Sequence, residues 1–321
     1  MSTITEVSAK IKQSVSTAFK GNDDLLDMIL ACLFSGGHVL LEDVPGTGKT
    51  VLAKSLAKST GLPFSRIQCT PDLMPSDVTG SSVWIPSTQT FDFRAGPVMS
   101  SVVLVDELNR ATPRTQSALL ECMAERQVSV DGTVHVLDKP FFVIATQNPV
   151  ESEGTFPLPE AQKDRFTMTL SIGYPDEEDE AAIITSQNAM THPVEKVDAA
   201  ADRADLLACM EEAVGIHVEE SVLGYLLAIV RHTRNDHRIA SGVSPRGSIA
   251  LYKSCQAFAA VKGRAYVIPE DIKTLALPVF KNRIILTSDS MLKGYTAGAI
   301  IRELLEQIPL PAFRPHVTHS A

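Results

Sequence analysis

The sequence predicts an α/β fold in which a five-stranded parallel sheet is followed by a smaller, all-helical region. Short apolar runs alternate with helical patterns along the first half of the chain, and strands separated by helices pair in parallel through crossover connections. The runs are 38–41, 64–68, 102–105, 141–145 and 166–172. From Asp176 onward the hydrophobic spacing is helical.

The helices are predicted from apolar spacing and from terminal signals. An apolar residue every four positions, from Val7 to Phe19, predicts a helix over 6–20. Thr112 as a cap and Pro113 at the first helical position mark the start of the helix after the third strand. Further helices are expected at 23–34, 49–60, 112–126, 177–189, 200–213, 218–232, 245–261, 270–282 and 297–307.

Two further stretches favour hairpins. Apolar residues at 84–85 and 91–93 flank a polar turn, which indicates a small hairpin or a helix–strand insertion. Asp131-Gly132, in the middle of 127–136, is typical of a two-residue hairpin turn. This turn would place Val128 and Val130 on one face with Thr133 and His135, and Val134 and Val136 on the other. A hairpin that touches a partner and one that is merely exposed to solvent explain this pattern equally well.

The length of 321 residues exceeds the usual size of one domain, so two domains are expected. Tyr174-Pro175 marks the predicted hinge between them. The first domain is predicted to span 1–174, with N-terminal helices, and the helical domain 175–308. A tail with three prolines, 309–321, shows no periodicity and is expected to be loosely ordered.

Composition predicts a soluble protein of the cytosol. The hydrophobic and charged fractions, 44% and 21%, are those of a globular chain. Five scattered cysteines without a C-x-x-C pair indicate reduced thiols, not disulfides or a zinc site. No signal peptide pattern or long apolar segment is found, so direct membrane insertion is not expected. The net charge of −9 argues against broad binding of nucleic acid.

The stretch from Val39 to Thr50 has the layout of a phosphate-binding loop. An apolar strand leads into a glycine-containing loop, and Lys49-Thr50 then opens a helix. Glycines let backbone N–H groups face phosphate oxygens, the lysine adds a charge, and the threonine hydroxyl can bind Mg²⁺. Asp43 stands where the first glycine of the motif is expected. An ordinary strand–turn–helix connection would also explain this stretch.

Polar side chains at the ends of two other strands extend the prediction. Asp106 and Glu107 follow the third strand at the carboxyl edge, where open α/β sheets bind ligands. Asp106 would position Mg²⁺, and Glu107 would orient or deprotonate an attacking water. Asn148 follows the fourth strand, where its amide can bond a terminal phosphate or that water. Simple strand-end solvation and an Asn-Pro turn are the alternatives.

Two arginines lie outside these strand ends. Arg246 follows Ser244-Pro245 at the start of a helix, where a cation is mildly unfavourable, and a bound anion would relieve that conflict. Arg165 precedes the fifth strand and could reach a phosphate in its own subunit or in a neighbour. A solvated Arg246 and a surface ion pair of Arg165 with Asp164 remain open from spacing alone.

Seven blocks of the sequence, between about residues 36 and 285, resemble the MoxR family of AAA+ ATPases. They are 41–50, 72–80, 105–111, 115–121, 144–149, 158–162 together with 164–166, and 242–246. The resemblance implies an AAA+ P-loop domain followed by a helical lid, with ATP and Mg²⁺ as cofactors. It also implies hexameric rings of identical subunits that act as chaperone-like ATPases, often with von Willebrand factor A domain proteins.

The resemblance assigns roles to particular residues. Glu107 and Asp106 match the Walker B pair, Asn148 matches sensor 1, and Lys49 and Thr50 match Walker A. Arg165 matches the arginine finger, which acts on ATP held by the next subunit, and Arg246 matches sensor 2 on the lid. The implied nucleotide-binding residues are Asp43, Pro45, Gly46, Thr47, Gly48, Lys49, Thr50 and Val51, and the implied metal ligands are Thr50 and Asp106.

The chain departs from the family's usual sequence at two positions and matches its two characteristic insertions. Lys163 stands where leucine is common in the family, whereas Asp43 is a variant that the family tolerates. The stretches 81–96 and 127–137 match the family's helix 2 and pre-sensor 1 insertions. A nucleotide-gated adaptor, in which ATP binding and not turnover controls partners, is the alternative function. A ring ATPase acting on DNA is disfavoured by the acidic charge balance.

Overall fold

A computed structural model describes residues 3–44, 46–148, 154–186 and 192–311. The helices in these ranges are α1 Thr3–Val15, α2 Asp23–Phe34, α3 Lys49–Ser59, α4 Pro75–Thr79, α5 Pro113–Glu125, α6 Glu160–Lys163, α7 Glu177–Ser186, α8 Arg203–Val214, α9 Glu220–Asn235, α10 Pro245–Val261, α11 Pro269–Phe280, α12 Ser288–Leu292 and α13 Ala297–Gln307. The strands are β1 Val39–Glu42, β2 Phe64–Gln68, β3 Gly80–Ile85, β4 Thr90–Ala95, β5 Val102–Asp106, β6 Gln127–Val130, β7 Thr133–Val136, β8 Phe142–Gln147, β9 Met168–Leu170, β10 Ile239–Ser241 and β11 Ile285–Leu286.

The predicted five-stranded parallel sheet is confirmed, with strand order β2-β5-β8-β1-β9. Every residue of β5 is buried, which explains why its sequence is apolar on both faces. Because all five strands run in the same direction, the carboxyl ends of β1, β5 and β8 meet at one edge. The phosphate-loop stretch, Asp106-Glu107 and Asn148 therefore emerge from neighbouring strands.

The two faces of the sheet are covered by separate hydrophobic clusters. One cluster joins alternate sheet residues such as Leu41 and Leu104 to α1, α2, α3 and the helices after residue 200. The other joins the opposite residues, such as Leu40 and Val103, to α5 and the base of the 127–136 hairpin. Helix α2 packs on α10 and α1 packs on α8, so the N-terminal helices contact the predicted lid as well as α3. The domain division at residue 174 stays a prediction.

Several element boundaries differ from the predicted ones. The first helix ends at Val15, and a turn that follows it brings Phe19 into the core. The fifth strand is shorter than 166–172, because the carbonyls of Phe166 and Thr167 accept hydrogen bonds from Arg283. The β10–β11 pair and the short helices α4, α6 and α12 were not predicted, since segments of two to five residues show no measurable periodicity. The part of the predicted tail from 312 to 321 lies outside the described residues.

Both predicted hairpins are confirmed. Strands β3 and β4 pair antiparallel, and β6 and β7 pair with Val128 opposite His135 and Val130 opposite Thr133. The two hairpins meet through His135 and Phe93, whose rings are stacked with centroids 3.8 Å apart. Val134 and Val136 are exposed on the face of the second hairpin opposite His135, and Trp84 and Phe91 of the first hairpin are also exposed. None of the helices in the described ranges combines the length and the apolar character that a membrane span requires.

His38 links the start of β1 to the rest of the sheet and makes stability depend on pH. Its buried ring accepts a hydrogen bond from the N–H of Val143 at Nδ1, so Nε2 carries the proton and donates to the carbonyl of Met123. Burial lowers the pKa of His38 to about 4. The unfolded chain, with an ordinary histidine pKa, therefore binds more protons than the folded one between about pH 6.5 and pH 4.

We expect the free energy of unfolding to fall by roughly 2 kcal/mol between pH 7.5 and pH 5 because of this one histidine. The measurement is urea unfolding of wild type and of His38→Gln at both pH values, with His232→Gln as an exposed control. The His38 variant should lose that part of the pH dependence and the His232 variant should keep it. Equal slopes in all three proteins would contradict the prediction.

Candidate nucleotide-binding site

The loop between β1 and α3 has the backbone that a phosphate cradle requires. Gly46 and Gly48 have φ angles of +87° and +83°, a region that side chains with a Cβ rarely adopt. Gly48 caps α3 without a side-chain hydrogen bond, so the first N–H groups of the helix remain available to an anion. Thr47 is buried, and its hydroxyl donates to the carbonyl of Val44. Pro45 lies outside the described residues.

Asp43 forms hydrogen bonds with a distant segment, residues 171–173, that the sequence did not predict. Its buried carboxylate accepts hydrogen bonds from the Ser171 hydroxyl at 2.8 Å, from the N–H of Gly173 at 3.2 Å and from the N–H of Ile172. The side chain thus fixes the segment that follows β9. An aspartate in place of the first glycine therefore ties the loop to 171–173.

Lys49 folds back over the loop. Its ammonium group donates to the carbonyls of Asp43 and Val44 at 2.9 and 3.1 Å. Burial lowers the pKa of Lys49, while the nearby carboxylates of Asp43, Asp106 and Glu107 favour its charged form. A phosphate group placed in the loop would offer this ammonium a stronger, charged acceptor than the two carbonyls.

Asp106 is held in a fixed orientation at the end of β5. Its Oδ1 accepts from the Thr146 hydroxyl at 2.7 Å, and its Oδ2 is paired with Arg66 at 2.6 Å. Thr146 lies on β8 and Arg66 on β2, the two strands that flank β5. The carboxylate is therefore held by side chains from the two strands that neighbour β5.

Glu107 has a left-handed backbone conformation, with φ 56° and ψ 50°. Such a conformation is unfavourable for a residue with a Cβ and is typical of functional sites. The N–H of Glu107 donates to Thr146, and its Oε2 accepts from Gln68 and Arg110, both at 3.0 Å. The sequence analysis missed Arg66, Gln68 and Thr146, and the available signal was that they are polar residues on the two strands beside β5.

The structure brings most of the predicted site into one cavity of about 230 Å³. It is lined by Gly46, Gly48, Lys49, Thr50, Val51, Asp106, Glu107, Thr146 and Asn148. A neighbouring cavity of about 660 Å³ shares Gly46, Gly48 and Val51 and extends between Phe19, Ile172 and Tyr174. The loop therefore lies between a small, charged cavity and a larger one with partly apolar walls.

The donor set of the small cavity fits a magnesium ion. Mg²⁺ prefers oxygen ligands and commonly uses one or two protein groups, with water and phosphate completing its shell. The Thr50 hydroxyl and the braced Asp106 carboxylate supply such groups in the same cavity. No cluster of three or more histidine, cysteine or acidic side chains suited to a metal occurs in the described ranges.

Arg165 and Arg246 lie elsewhere. Neither is among the described residues that line the small cavity, and both line a third cavity of about 240 Å³. Arg126, Lys253 and Arg283 line it as well, and Asp164 is the sole carboxylate among its described lining residues.

Asp164 pairs with Arg283 at 2.6 Å and lies 3.9 Å from Arg246, so the predicted alternative of an Arg165–Asp164 ion pair does not form in the described part of the chain. Lys163 pairs with Glu160 at 3.1 Å.

Two family models and several known proteins match this chain. Residues 38–168 match a family model described as ATPase family associated with various cellular activities (AAA), and residues 231–304 match the AAA lid domain. YeaC, an uncharacterised protein of Bacillus subtilis, is 46% identical, and the match covers 96% of each chain. Chaperone MoxR1 of Mycobacterium tuberculosis is 39% identical over 94% of this chain and 82% of its own.

A crystal structure of a candidate ATPase from Cytophaga hutchinsonii has a TM-score of 0.88 and 37% identity, and the match covers 97% of each chain. The relatives therefore share both the sheet domain and the helical lid. With the family match, the MoxR-named relative and the five-stranded sheet in agreement, this chain belongs to the MoxR family of AAA+ ATPases.

Proposed function

We propose that this protein binds Mg-ATP and hydrolyses it at sites shared by neighbouring subunits of a ring, and uses turnover to remodel or activate partner proteins. One observation carries the proposal. Lys49, Thr50, Asp106, Glu107 and Asn148 line one cavity, whereas Arg165 and Arg246 line another. A single copy thus presents two complementary parts of a phosphoryl-transfer site at separate places.

The small cavity holds the phosphates and the metal in this proposal. Backbone N–H groups around Gly46 and Gly48 and the ammonium group of Lys49 bind the phosphate oxygens, while Thr50 and Asp106 hold Mg²⁺. The bound ion neutralises charge on those oxygens. Glu107 accepts a proton from the attacking water, and Asn148 holds that water or the terminal phosphate by its amide.

The larger cavity receives the base and ribose. Its walls include the Phe19 ring and Ile172, which suit a flat, weakly polar group next to the phosphate loop. Asp43 fixes Ile172 and Gly173 by accepting their N–H groups, so the same residue that begins the loop also shapes the wall of this cavity.

The basic cavity acts on the nucleotide of a neighbouring subunit. Arg165 is half-buried and Arg246 is exposed, with 59% of its side chain accessible to solvent. Arginines at such a surface can form charge-assisted hydrogen bonds with phosphate oxygens brought to them by a second copy. Both arginines then act between subunits, and their contribution to stabilising transition-state charge is made only where two copies meet.

The proposed client and assembly follow from the family. The relative from Mycobacterium tuberculosis is named a chaperone. A homohexamer, and a von Willebrand factor A domain protein or another complex as its client, are the assembly and partner that the family resemblance suggests. The two hairpins offer apolar surface to such a client through four exposed side chains, those of Trp84, Phe91, Val134 and Val136.

Phosphate release by the purified protein tests the proposal. We expect steady release from ATP that requires Mg²⁺ and that falls to background when EDTA removes the ion, because Thr50 and Asp106 then have no metal to hold against the phosphates. Light scattering with and without ATP should show a species several times the 34.7 kDa mass of one chain. A protein that stays monomeric with ATP and still releases phosphate in this Mg²⁺-dependent way would refute the shared site.

A further inference from the structure

Arg283 is buried at the junction between the lid and the loop that carries Arg165. It follows α11 and is surrounded by the finger loop, which we define as residues 164–167. Its Nε pairs with the Asp164 carboxylate at 2.6 Å, and its Nη2 donates to the carbonyls of Asp164 and Phe166 at 3.2 and 2.7 Å. Its Nη1 donates to the carbonyl of Thr167 at 3.0 Å and to the carbonyl of Val279 in α11.

This guanidinium is therefore occupied in holding other parts of the chain. Only 5% of its side chain is exposed, compared with 59% for Arg246. Burial lowers the pKa of Arg283, and the charge of Asp164 opposes that effect. A cation that is buried, paired and bonded to four main-chain carbonyls cannot easily be released to bind a ligand.

Arg246 depends on the same group of contacts. Asp164, which Arg283 holds, lies 3.9 Å from the Arg246 guanidinium. Gly247, the next residue of α10, packs on the Arg283 side chain so closely that an added Cβ would lie 2.9 Å from its Cδ. The absence of a side chain at 247 thus lets Arg283 pass beneath the first turn of α10.

The two residues before Arg283 tie the same turn to the phosphate loop. Lys281 pairs with Glu42 at 3.0 Å, and the Asn282 amide donates to Glu42 at 3.1 Å and to Thr169 at 2.9 Å. Glu42 ends β1 immediately before Asp43. One tripeptide of the lid therefore contacts both the strand that leads into the subunit's own phosphate loop and the finger loop.

We propose that Arg283 is a positioning residue that fixes Arg165 and Arg246 relative to each other, so that one subunit presents both to its neighbour's nucleotide. This inference rests on the proposed function. Lys281 and Asn282 couple that arginine pair to β1, and hence to the subunit's own nucleotide site. Asp164 is the shared anchor, because it is bonded to Arg283 and lies beside Arg246.

The test uses Arg283→Lys, which keeps the positive charge but replaces the planar five-donor fork by one ammonium group. We expect ATP to bind to this variant as tightly as to wild type, while kcat falls by about tenfold to a hundredfold, because displacement of catalytic groups by about an ångström can cost up to about a hundredfold. Arg264→Lys is the matched control. Arg264 also pairs with a buried carboxylate in the lid, that of Asp271, but does not line the basic cavity.

Co-expression separates positioning from damage to the fold. A subunit with Arg283→Lys keeps an intact phosphate loop, and a subunit with Lys49→Ala keeps correctly positioned arginines. In a mixed ring, some interfaces therefore join the intact phosphate loop of one chain to the intact arginines of the other. We expect the mixture to recover about a quarter of wild-type turnover per subunit if the two chains assemble at random. Asp164→Asn, which keeps the volume of the anchor but removes its charge, should behave in the same way.

The outcomes distinguish this inference from the proposed function. Failure of an Arg165→Ala and Lys49→Ala mixture to recover turnover would overturn the shared site itself. Recovery in that mixture, but none with Arg283→Lys or Asp164→Asn although both bind ATP, would overturn the positioning role alone. Unchanged kcat in Arg283→Lys, or an equal loss of kcat in Arg264→Lys, would also overturn it.

Discussion

Replacing Glu107 with glutamine is expected to stop ATP turnover while leaving ATP bound. In the proposed reaction Glu107 accepts a proton from the attacking water, and removal of a general base lowers rates by about 10²–10⁴-fold. An amide has almost the same shape as the carboxylate, and its oxygen can still accept from Gln68 and Arg110, the two groups that hold Glu107. The substitution therefore removes the base with little disturbance of the cavity.

Nucleotide affinity should not fall in this variant, for an electrostatic reason. Glu107 and Asp106 lie in the same cavity as Lys49, and both carboxylates repel phosphate oxygens brought into it. The loss of one negative charge reduces that repulsion. A fluorescent ATP analogue should therefore bind to Glu107→Gln at least as tightly as to wild type, while phosphate release falls by at least about a hundredfold.

Glu121→Gln provides the control, since this exposed acid lies on α5 after the same strand. It should leave turnover and binding unchanged. Turnover in Glu107→Gln at the wild-type rate would assign the base to another residue. Native function that survives the loss of turnover in this variant would favour the alternative of a nucleotide-gated adaptor over an ATP-driven remodeler.

The placement of the proposed phosphate-loop residues could be predicted because its signals are local. A buried strand, two glycines and Lys49-Thr50 are consecutive in sequence, and the parallel sheet places Asp106 and Asn148 next to them without further information. The confirmed hairpin at 127–136 was predicted for the same reason, since Asp131-Gly132 specifies its turn directly.

The features that could not be predicted depend on contacts between distant segments. Asp43 holds residues 171–173 across about 130 positions, and no periodicity marks such a pair. Arg66 and Thr146 brace Asp106 from two other strands. Residues 166 and 167 lie outside the fifth strand, and their carbonyls accept hydrogen bonds from Arg283, which is more than a hundred positions away. Propensity and spacing describe neighbours along the chain, so they do not report these competing partners.

Replacing Arg165 with alanine is expected to remove hydrolysis and leave the nucleotide site intact. Arg165 does not line the cavity that holds Lys49, so the affinity of an isolated subunit for ATP has no contact to lose. An arginine that stabilises transition-state charge in nucleotide hydrolysis contributes about 10³–10⁵-fold to kcat. Phosphate release should fall by a factor of that order, with binding of the ATP analogue unchanged. Arg114→Ala, at an exposed arginine on α5, should change neither quantity.

If Arg165 acts on the nucleotide of a neighbouring subunit, as we propose, a second copy can complement its loss. The loss of a residue that acts within its own subunit could not be complemented in this way. A subunit with Arg165→Ala keeps Lys49, and a subunit with Lys49→Ala keeps Arg165, so each supplies the half that the other lacks. Two inactive proteins should together regain about a quarter of wild-type turnover when co-expressed, because one interface in four then joins two intact halves. If Arg165 instead served its own nucleotide, every active site would lack one group and the mixture would stay inactive. Recovered turnover therefore measures directly whether the basic cavity of one copy faces the phosphate loop of the next.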